Sequence, residues 1–145
     1  MKPQTVQIVR QGEATPYRFL LIHYIKVKPI MRLNHKQGEA GEDAALAFLQ
    51  SQGCTLLARN WHCAYGEIDL IVKNGGMILF VEVKYRKDQR FGGAAYSISP
   101  SKLLKLQRSV EYYLQQNRLT NVPCRLDAVL IEGNRPPEWI KNITG

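Results

Sequence analysis

The sequence predicts an α/β fold in which a small mixed β-sheet is flanked by helices. Three observations carry that expectation. Two β-rich runs, 66–73 and 77–85, are separated by Asn74-Gly75-Gly76, and Asn-Gly between such runs is the strongest short-range hairpin signal. Helical patterns lie on either side of this hairpin, one from Gln37 and one from Ser99-Pro100 to about Gln116. A last β-rich run, 124–131, follows the second of them. The order α, β, β-hairpin, α, β suits one sheet with helices packed on it.

The first thirty residues stand apart. Their most apolar stretch, 18–25, is far short of the roughly 20 residues that span a bilayer. Lys26, Lys28 and Pro29 follow it, where a secretory signal would place a small-residue cleavage site. Met31 comes just before the helical pattern begins. Residues 1–30 are therefore expected to be an extension outside the fold, with Met31 the natural start and residues 31–145 a single domain. An intact mass that includes residues 1–30, measured on protein from the native host, would contradict this.

From Gln37 a helical stripe of Ala40, Ala44, Ala47 and Phe48, joined by Ala45 and Leu49, runs to a stop at Gly53. Residues 56–60 read as a short strand. The hairpin follows, and after Gly92-Gly93 comes Ser99-Pro100, with Ser as N-cap and Pro in the first turn. Leu103, Leu106, Val110, Tyr113 and Leu114 form that helix's buried stripe, with Lys102, Lys105 and Arg108 on another face. The strand from Cys124 then leads through Pro136-Pro137 to a short tail carrying Trp139.

Composition narrows the function classes. A hydrophobic fraction of 45% and a charged fraction of 22% are ordinary for a soluble globular domain. Twenty Lys and Arg against twelve Asp and Glu give a net charge of +8, which favours polyanionic partners. Five basic and one acidic residue lie in 1–30, so half of that charge falls outside the expected domain. Cys54, Cys63 and Cys124 are widely spaced with no CxxC pair, which argues against a zinc ribbon and for free thiols in a reducing cytoplasm. No membrane association is expected.

The chemistry gathers on the hairpin. A two-residue Asn74-Gly75 loop would set Lys73 opposite Gly76, Asp69 opposite Phe80 and Glu67 opposite Glu82. Alternation then puts Ile68, Leu70, Val72, Met77, Leu79, Val81 and Val83 on one apolar core face. The other face carries Glu67, Asp69, Glu82 and Lys84 at the end away from the turn. Like charges facing each other across a sheet are destabilising, and a cation would relieve the cost. Hard oxygen donors without His or Cys nearby point to Mg²⁺ or Mn²⁺. Lys84, two residues after Glu82 on the same face, is placed to orient an attacking water beside such a metal. Glu42 on the first helix is a candidate for a further contact through water. The same pattern also suits an open, solvated sheet face on which Lys84 merely balances charge.

Gly66-Glu-Ile-Asp-Leu-Ile71 followed by Phe80-Val-Glu-Val-Lys84 resembles the PD-(D/E)XK nuclease superfamily, in which an Asp precedes a Glu-x-Lys on the next strand. More narrowly, the chain resembles the YraN-like family of bacterial proteins, itself similar to archaeal Holliday-junction resolvases. The resemblance covers nearly all of residues 36–145. It includes Gly38, Glu42, Arg59-Asn60, Gly66-Glu-Ile-Asp69, Val81-Glu-Val-Lys-Tyr-Arg86, Phe91-Gly92-Gly93, Ser101-Lys102 and Arg125-Leu-Asp127. It implies a restriction-endonuclease-like nuclease core, with Asp69 and Glu82 as metal ligands, Lys84 as catalytic lysine and Glu42 as the helix acid. Ile68 stands where the superfamily's name has Pro.

Around that centre, Arg86, Lys87 and Arg90 are expected to contact phosphate. Lys102 and Lys105 either track a phosphate backbone or form a solvated helix face. Tyr85 and Tyr96 suit packing better than base stacking, Trp61 and Trp139 suit core cover, and Arg125 with Asp127 suits a structural pair. The leading expectation is a Mg²⁺- or Mn²⁺-dependent endonuclease acting on DNA, branched or single-stranded, in recombination or repair. Cutting two strands would call for a symmetric homodimer. The rivals are a non-cutting nucleic-acid-binding module and a protein that holds a metal for structure alone.

Overall fold

A computed structural model describes residues 32–86 and 98–145, with side chains from Gly38 onward in the first helix. Residues 1–30, Met31, Lys87, Arg90, Tyr96 and the Phe91-Gly92-Gly93 segment lie outside the described residues. The described elements are α1 (Arg32–Ser51), β1 (Thr55–Cys63), β2 (Gly66–Asn74), β3 (Met77–Arg86), α2 (Pro100–Gln116), β4 (Cys124–Glu132) and β5 (Glu138–Ile140). The strands form one mixed sheet in the order β1-β2-β3-β4-β5. Neighbours pair antiparallel except β3 and β4, which run parallel and are joined through α2, as a parallel pair requires. All side chains of the site described below belong to one compact unit, Gly38–Gly145.

Helix α1 is rich in Ala, Leu, Glu and Gln and free of β-branched residues, a composition of good helix formers. It ends in a Schellman turn. Gly53 takes φ +88, its N–H donates to the Gln50 carbonyl at 3.0 Å, and the Cys54 N–H donates to the Leu49 carbonyl at 3.0 Å. The buried stripe differs from the expected one. Gly41, Ala45 and Leu49 face the sheet, whereas Ala40, Ala44 and Ala47 are exposed. An alanine methyl has little surface to hide, so the larger Leu46, Phe48 and Leu49 decide which way the helix turns.

Helix α2 matches its predicted opening and stripe. The Ser99 side chain accepts the Lys102 N–H at 3.2 Å, with Pro100 in the first turn. Leu106 is buried, and Leu103, Val110, Tyr113 and Leu114 pack around it.

The sheet is covered on both faces, which the one-sided hairpin pattern did not anticipate. Leu70, Val72, Leu79, Val81, Val129 and Ile131 pack against Ala45 and Leu49 of α1. On the opposite face Ile68, Ile71, Ile78, Phe80 and Leu126 pack against Leu106 of α2. Apolar residues of this face thus form a second core, and the hairpin carboxylates Glu67, Asp69 and Glu82 lie toward the end of the strands away from the turn.

The hairpin register is corrected by two residues. Asn74 pairs with Met77, Lys73 with Ile78 and Ile71 with Phe80. The turn residues are therefore Gly75 and Gly76. Gly75 takes φ +59, a conformation glycine adopts without the Cβ penalty that Asn74 would carry there.

A second irregularity shapes the site. Ile68 and Ile71, three residues apart, belong to the same core, as do Ala58 and Trp61 on β1. Regular alternation would put such residues on opposite faces. Both strands change face between them, at Asp69 on β2 and at Asn60 on β1, and Asn60 has φ +48, which Asn tolerates better than most side chains.

Candidate metal centre

At this change of face β2 parts from β3. Their pairing ends at Leu70↔Val81, and the Val83 N–H donates instead to Oδ2 of Asp69 at 2.7 Å. A side chain thus takes a donor that the backbone ladder would otherwise use, and it enters the gap between the strands. One further step along the register brings Asp69 level with Glu82, not Phe80.

The Glu82 side chain lies within the fold, the residue being 4% exposed. Its Oε1 faces two ammonium groups, Lys102 Nζ at 3.5 Å and Lys84 Nζ at 3.8 Å. Its Oε2 is buried and has no hydrogen-bond donor among the described residues, an arrangement that costs about 1–3 kcal/mol or more for a charged acceptor. The Asp69 carboxyl is pushed up to about 8. Burial is the largest cause and the neighbouring Glu82 charge the next, partly offset by the Val83 N–H, with smaller upward pushes from Glu67 and Glu42. The pair is therefore short of positive charge between its oxygens, although two lysines stand beside one of them.

Glu42 is held by β1. Its Oε2 accepts from Asn60 Nδ2 at 3.0 Å and from the Arg59 guanidinium at 3.3 and 3.4 Å. Arg59 also bridges to Asp43 at 2.6 Å. Gly41 lets this part of α1 approach β3: a Cβ there would stand 3.0 Å from Tyr85 Cβ and 3.3 Å from its ring.

Asp127 is a carboxylate of another kind. It is fully buried and saturated, accepting from Arg125 Nε at 2.6 Å, Arg125 Nη2 at 2.8 Å, Trp139 Nε1 at 2.9 Å and the Asn142 N–H at 2.9 Å. It forms the expected structural pair with Arg125. The contrast with Glu82 separates a carboxylate that holds the fold from one whose second oxygen has no donor among the described residues.

Residues 41–131 match the family described as "Uncharacterised protein family UPF0102". Similar proteins include the UPF0102 protein of Neisseria gonorrhoeae (strain NCCP11945), 98% identical over 115 residues, which are 79% of this chain and 100% of the relative. That of Neisseria meningitidis serogroup C (strain 053442) is 96% identical over the same shares. That of Nitrosomonas eutropha is 49% identical over 112 residues, 77% of this chain and 96% of the relative. The chain belongs to the UPF0102 family.

The matched span of this UPF0102 chain contains Glu42, Asp69, Glu82, Lys84, Arg86, Lys102 and Lys105. Asp69, Glu82 and Lys84 come together, with Glu42 close enough to raise the Asp69 carboxyl. Glu67 does not face Glu82. It stands opposite His62 on β1, with His62 Nδ1 3.5 Å from its carboxylate, because the register differs from the expected one. Arg86 bridges to Glu132 at 3.8 Å, and Lys105 is exposed on α2. The sequence did not place Lys102 at Glu82. Its position on the first turn of α2, just after the Ser99 cap, was legible, but not that this turn begins at the far end of β3.

Among the described residues no three His, Cys, Asp or Glu side chains gather as a metal cage. The Asp69–Glu82 pair offers two carboxylates, the number by which Mg²⁺ is commonly held while it keeps several waters. All three cysteines are free thiols. Among the described residues no helix is long and apolar enough to cross a membrane.

Proposed function

We propose that this chain is a divalent-metal-dependent endonuclease that hydrolyses phosphodiester bonds of DNA, with Asp69 and Glu82 holding Mg²⁺ or Mn²⁺. The observation that carries the reading is the buried Oε2 of Glu82, without a donor among the described residues, beside an Asp69 carboxyl pushed up to about 8. A hard cation satisfies both at once, and the resemblance of Asp69 and Glu82-Val-Lys84 to the PD-(D/E)XK pattern points the same way. When bound, the metal supplies Lewis-acid charge for a phosphoryl oxygen and lowers the pKa of a coordinated water.

The chain's own residues supply the rest. Asp69 is fixed by the Val83 N–H and must give up its proton to serve as a ligand. Lys84, with 43% of its side chain exposed, carries its ammonium to the rim of the site, where it orients the attacking water and stabilises charge on the phosphoryl group. Lys102 approaches the same carboxylate from α2 and adds a second positive charge facing an incoming phosphate. Arg59 and Asn60 hold Glu42 within electrostatic reach.

The test is nicking of labelled linear, single-stranded and four-way-junction DNA with Mg²⁺, Mn²⁺ or EDTA. Wild type is compared with Asp69→Ala and Lys84→Ala. Cleavage that needs metal, disappears in Asp69→Ala and falls by about 10²-fold or more in Lys84→Ala is expected. No cleavage of any substrate with either metal would contradict the proposal.

A further inference from the structure

We propose that one stripe of α2, together with the turn between β1 and β2, forms a track for single-stranded nucleic acid that leads unpaired bases from Tyr65 to the Asp69–Glu82 site. The inference rests on the nuclease reading of that site and deepens it by naming the form of the substrate.

The observation behind it is an aromatic ladder that begins in the core and ends in solvent. Phe80, fully buried, meets Tyr113 edge-on at 5.4 Å, and Tyr113 meets Trp61 edge-on at 5.3 Å. Trp61 lies 6.2 Å from Tyr112, and Tyr112 lies 6.0 Å from Tyr65. A chain of four ring contacts, the last of them to Tyr112, therefore links Tyr65 to the core, yet Tyr65 itself is 46% exposed. A ring braced on one side and open on the other is a stacking platform whose orientation is already fixed, so little ordering is needed when a ligand binds. The exposed ring of Tyr85, by contrast, is accounted for by its contact with Gly41.

Helix α2 joins this platform to the carboxylates. Lys102 in its first turn reaches Glu82 at 3.5 Å. Ser109 is buried beneath the β1–β2 turn, with Cys63 Sγ 3.4 Å from its Oγ, and a Cβ on Gly66 would stand 3.7 Å from the same oxygen. Tyr112 touches both Trp61 and Tyr65. Lys102, Lys105, Ser109 and Tyr112 follow the i, i+3, i+7, i+10 spacing of one helix stripe. At 1.5 Å per residue the stripe is about 15 Å long from Lys102 to Tyr112. It has ammonium groups at the carboxylate end and aromatic rings at the other. On the sheet side, Tyr65 precedes Asp69 by four residues, about 13 Å of strand.

The chemistry of that path selects its occupant. Lys102 and Lys105 match a phosphodiester backbone, and an exposed ring matches a base face. Inside a duplex the base faces are covered by their neighbours, whereas unpaired bases stack on aromatic side chains with little regard to sequence. A single strand offers both groups together.

The experiment is fluorescence anisotropy of the full chain with fluorescein-labelled oligothymidylate and with a duplex of the same length, in EDTA so that nothing is cut. Wild type is expected to bind the single strand more tightly. Tyr65→Ala should weaken single-strand binding roughly ten- to hundredfold, the loss of one stacked base, and leave duplex binding unchanged, while Tyr65→Phe retains the affinity. Equal single-strand affinity for Tyr65→Ala and wild type overturns the track, as does an equal loss on both forms. If the wild type still cuts DNA with Mg²⁺ in that case, the nuclease reading survives alone. A wild type that neither binds nor cuts either form removes both.

Discussion

Asp69 and Asp127 are both largely buried acids, and their hydrogen bonding separates their roles. Asp127 is met by four donors, whereas Asp69 accepts the Val83 N–H and otherwise feels burial and other carboxylates. Its carboxyl is raised from the ordinary 3.8 to about 8. Between those values the folded chain keeps a proton that the unfolded chain has released, so metal-free stability falls as pH rises from about 4 to about 8 and levels off above it. Asp69→Asn has no proton to lose, and its amide oxygen can still accept from Val83. In EDTA the melting temperature of Asp69→Asn should therefore exceed that of wild type at pH 9 by roughly 5 °C or more, with a smaller difference at pH 5. Equal differences at the two pH values would show that Asp69 ionises normally. The pairing of Asp69 with Glu82-Val-Lys84 was legible in the sequence as a motif. That Glu82 Oε2 has no donor among the described residues was not, because it depends on where α2 and β3 place their neighbours.

At the scale of elements, Asp127 ties the short β5 to β4. Only three residues of β5 pair, Glu138 to Ile140, too few for a strand to hold itself in place. The Trp139 indole and the Asn142 N–H, both donating to Asp127, supply the anchor. Asp127→Ala should leave the Trp139 indole and the Asn142 N–H without their acceptor and cost about 1–3 kcal/mol, read from a lower urea midpoint with an unchanged slope. A loss below 1 kcal/mol would show that β5 is held by packing alone. The sequence concealed β5 for a physical reason. Three residues after Pro136-Pro137 carry no alternation to read, and what fixes them is a carboxylate on another strand. The hairpin was easier: its existence and strand identities follow from the turn signal, while its register turned on whether Asn74 or Gly75 takes the positive φ. On α1 the alanines gave a stripe that the larger side chains overruled.

For the molecule as a whole, a small mixed sheet flanked by helices was legible in the order of elements, while its fifth strand and the placing of one helix on each face were not. That both faces form cores was hidden, because the face carrying Ile71, Ile78 and Phe80 also carries the acids, and a single pattern cannot show where one role gives way to the other. The switch occurs at Asp69, where β2 leaves β3, and Ile68 beyond it still packs in the second core. Of the net charge of +8, the half that lies beyond residue 30 includes Lys84, Lys102 and Lys105, beside a site for which a polyanion is the proposed substrate. The central claim is that this site takes a divalent cation. The direct measurement is a Mn²⁺ titration at pH 8, followed by the electron paramagnetic resonance of the free ion, on wild type, Asp69→Asn and Glu82→Gln, with melts in EDTA confirming that each is folded. The account predicts that wild type binds Mn²⁺ and that each variant loses more than the roughly 10–100-fold that removal of an outer partner costs. Mn²⁺ affinity equal to wild type in both variants would contradict it.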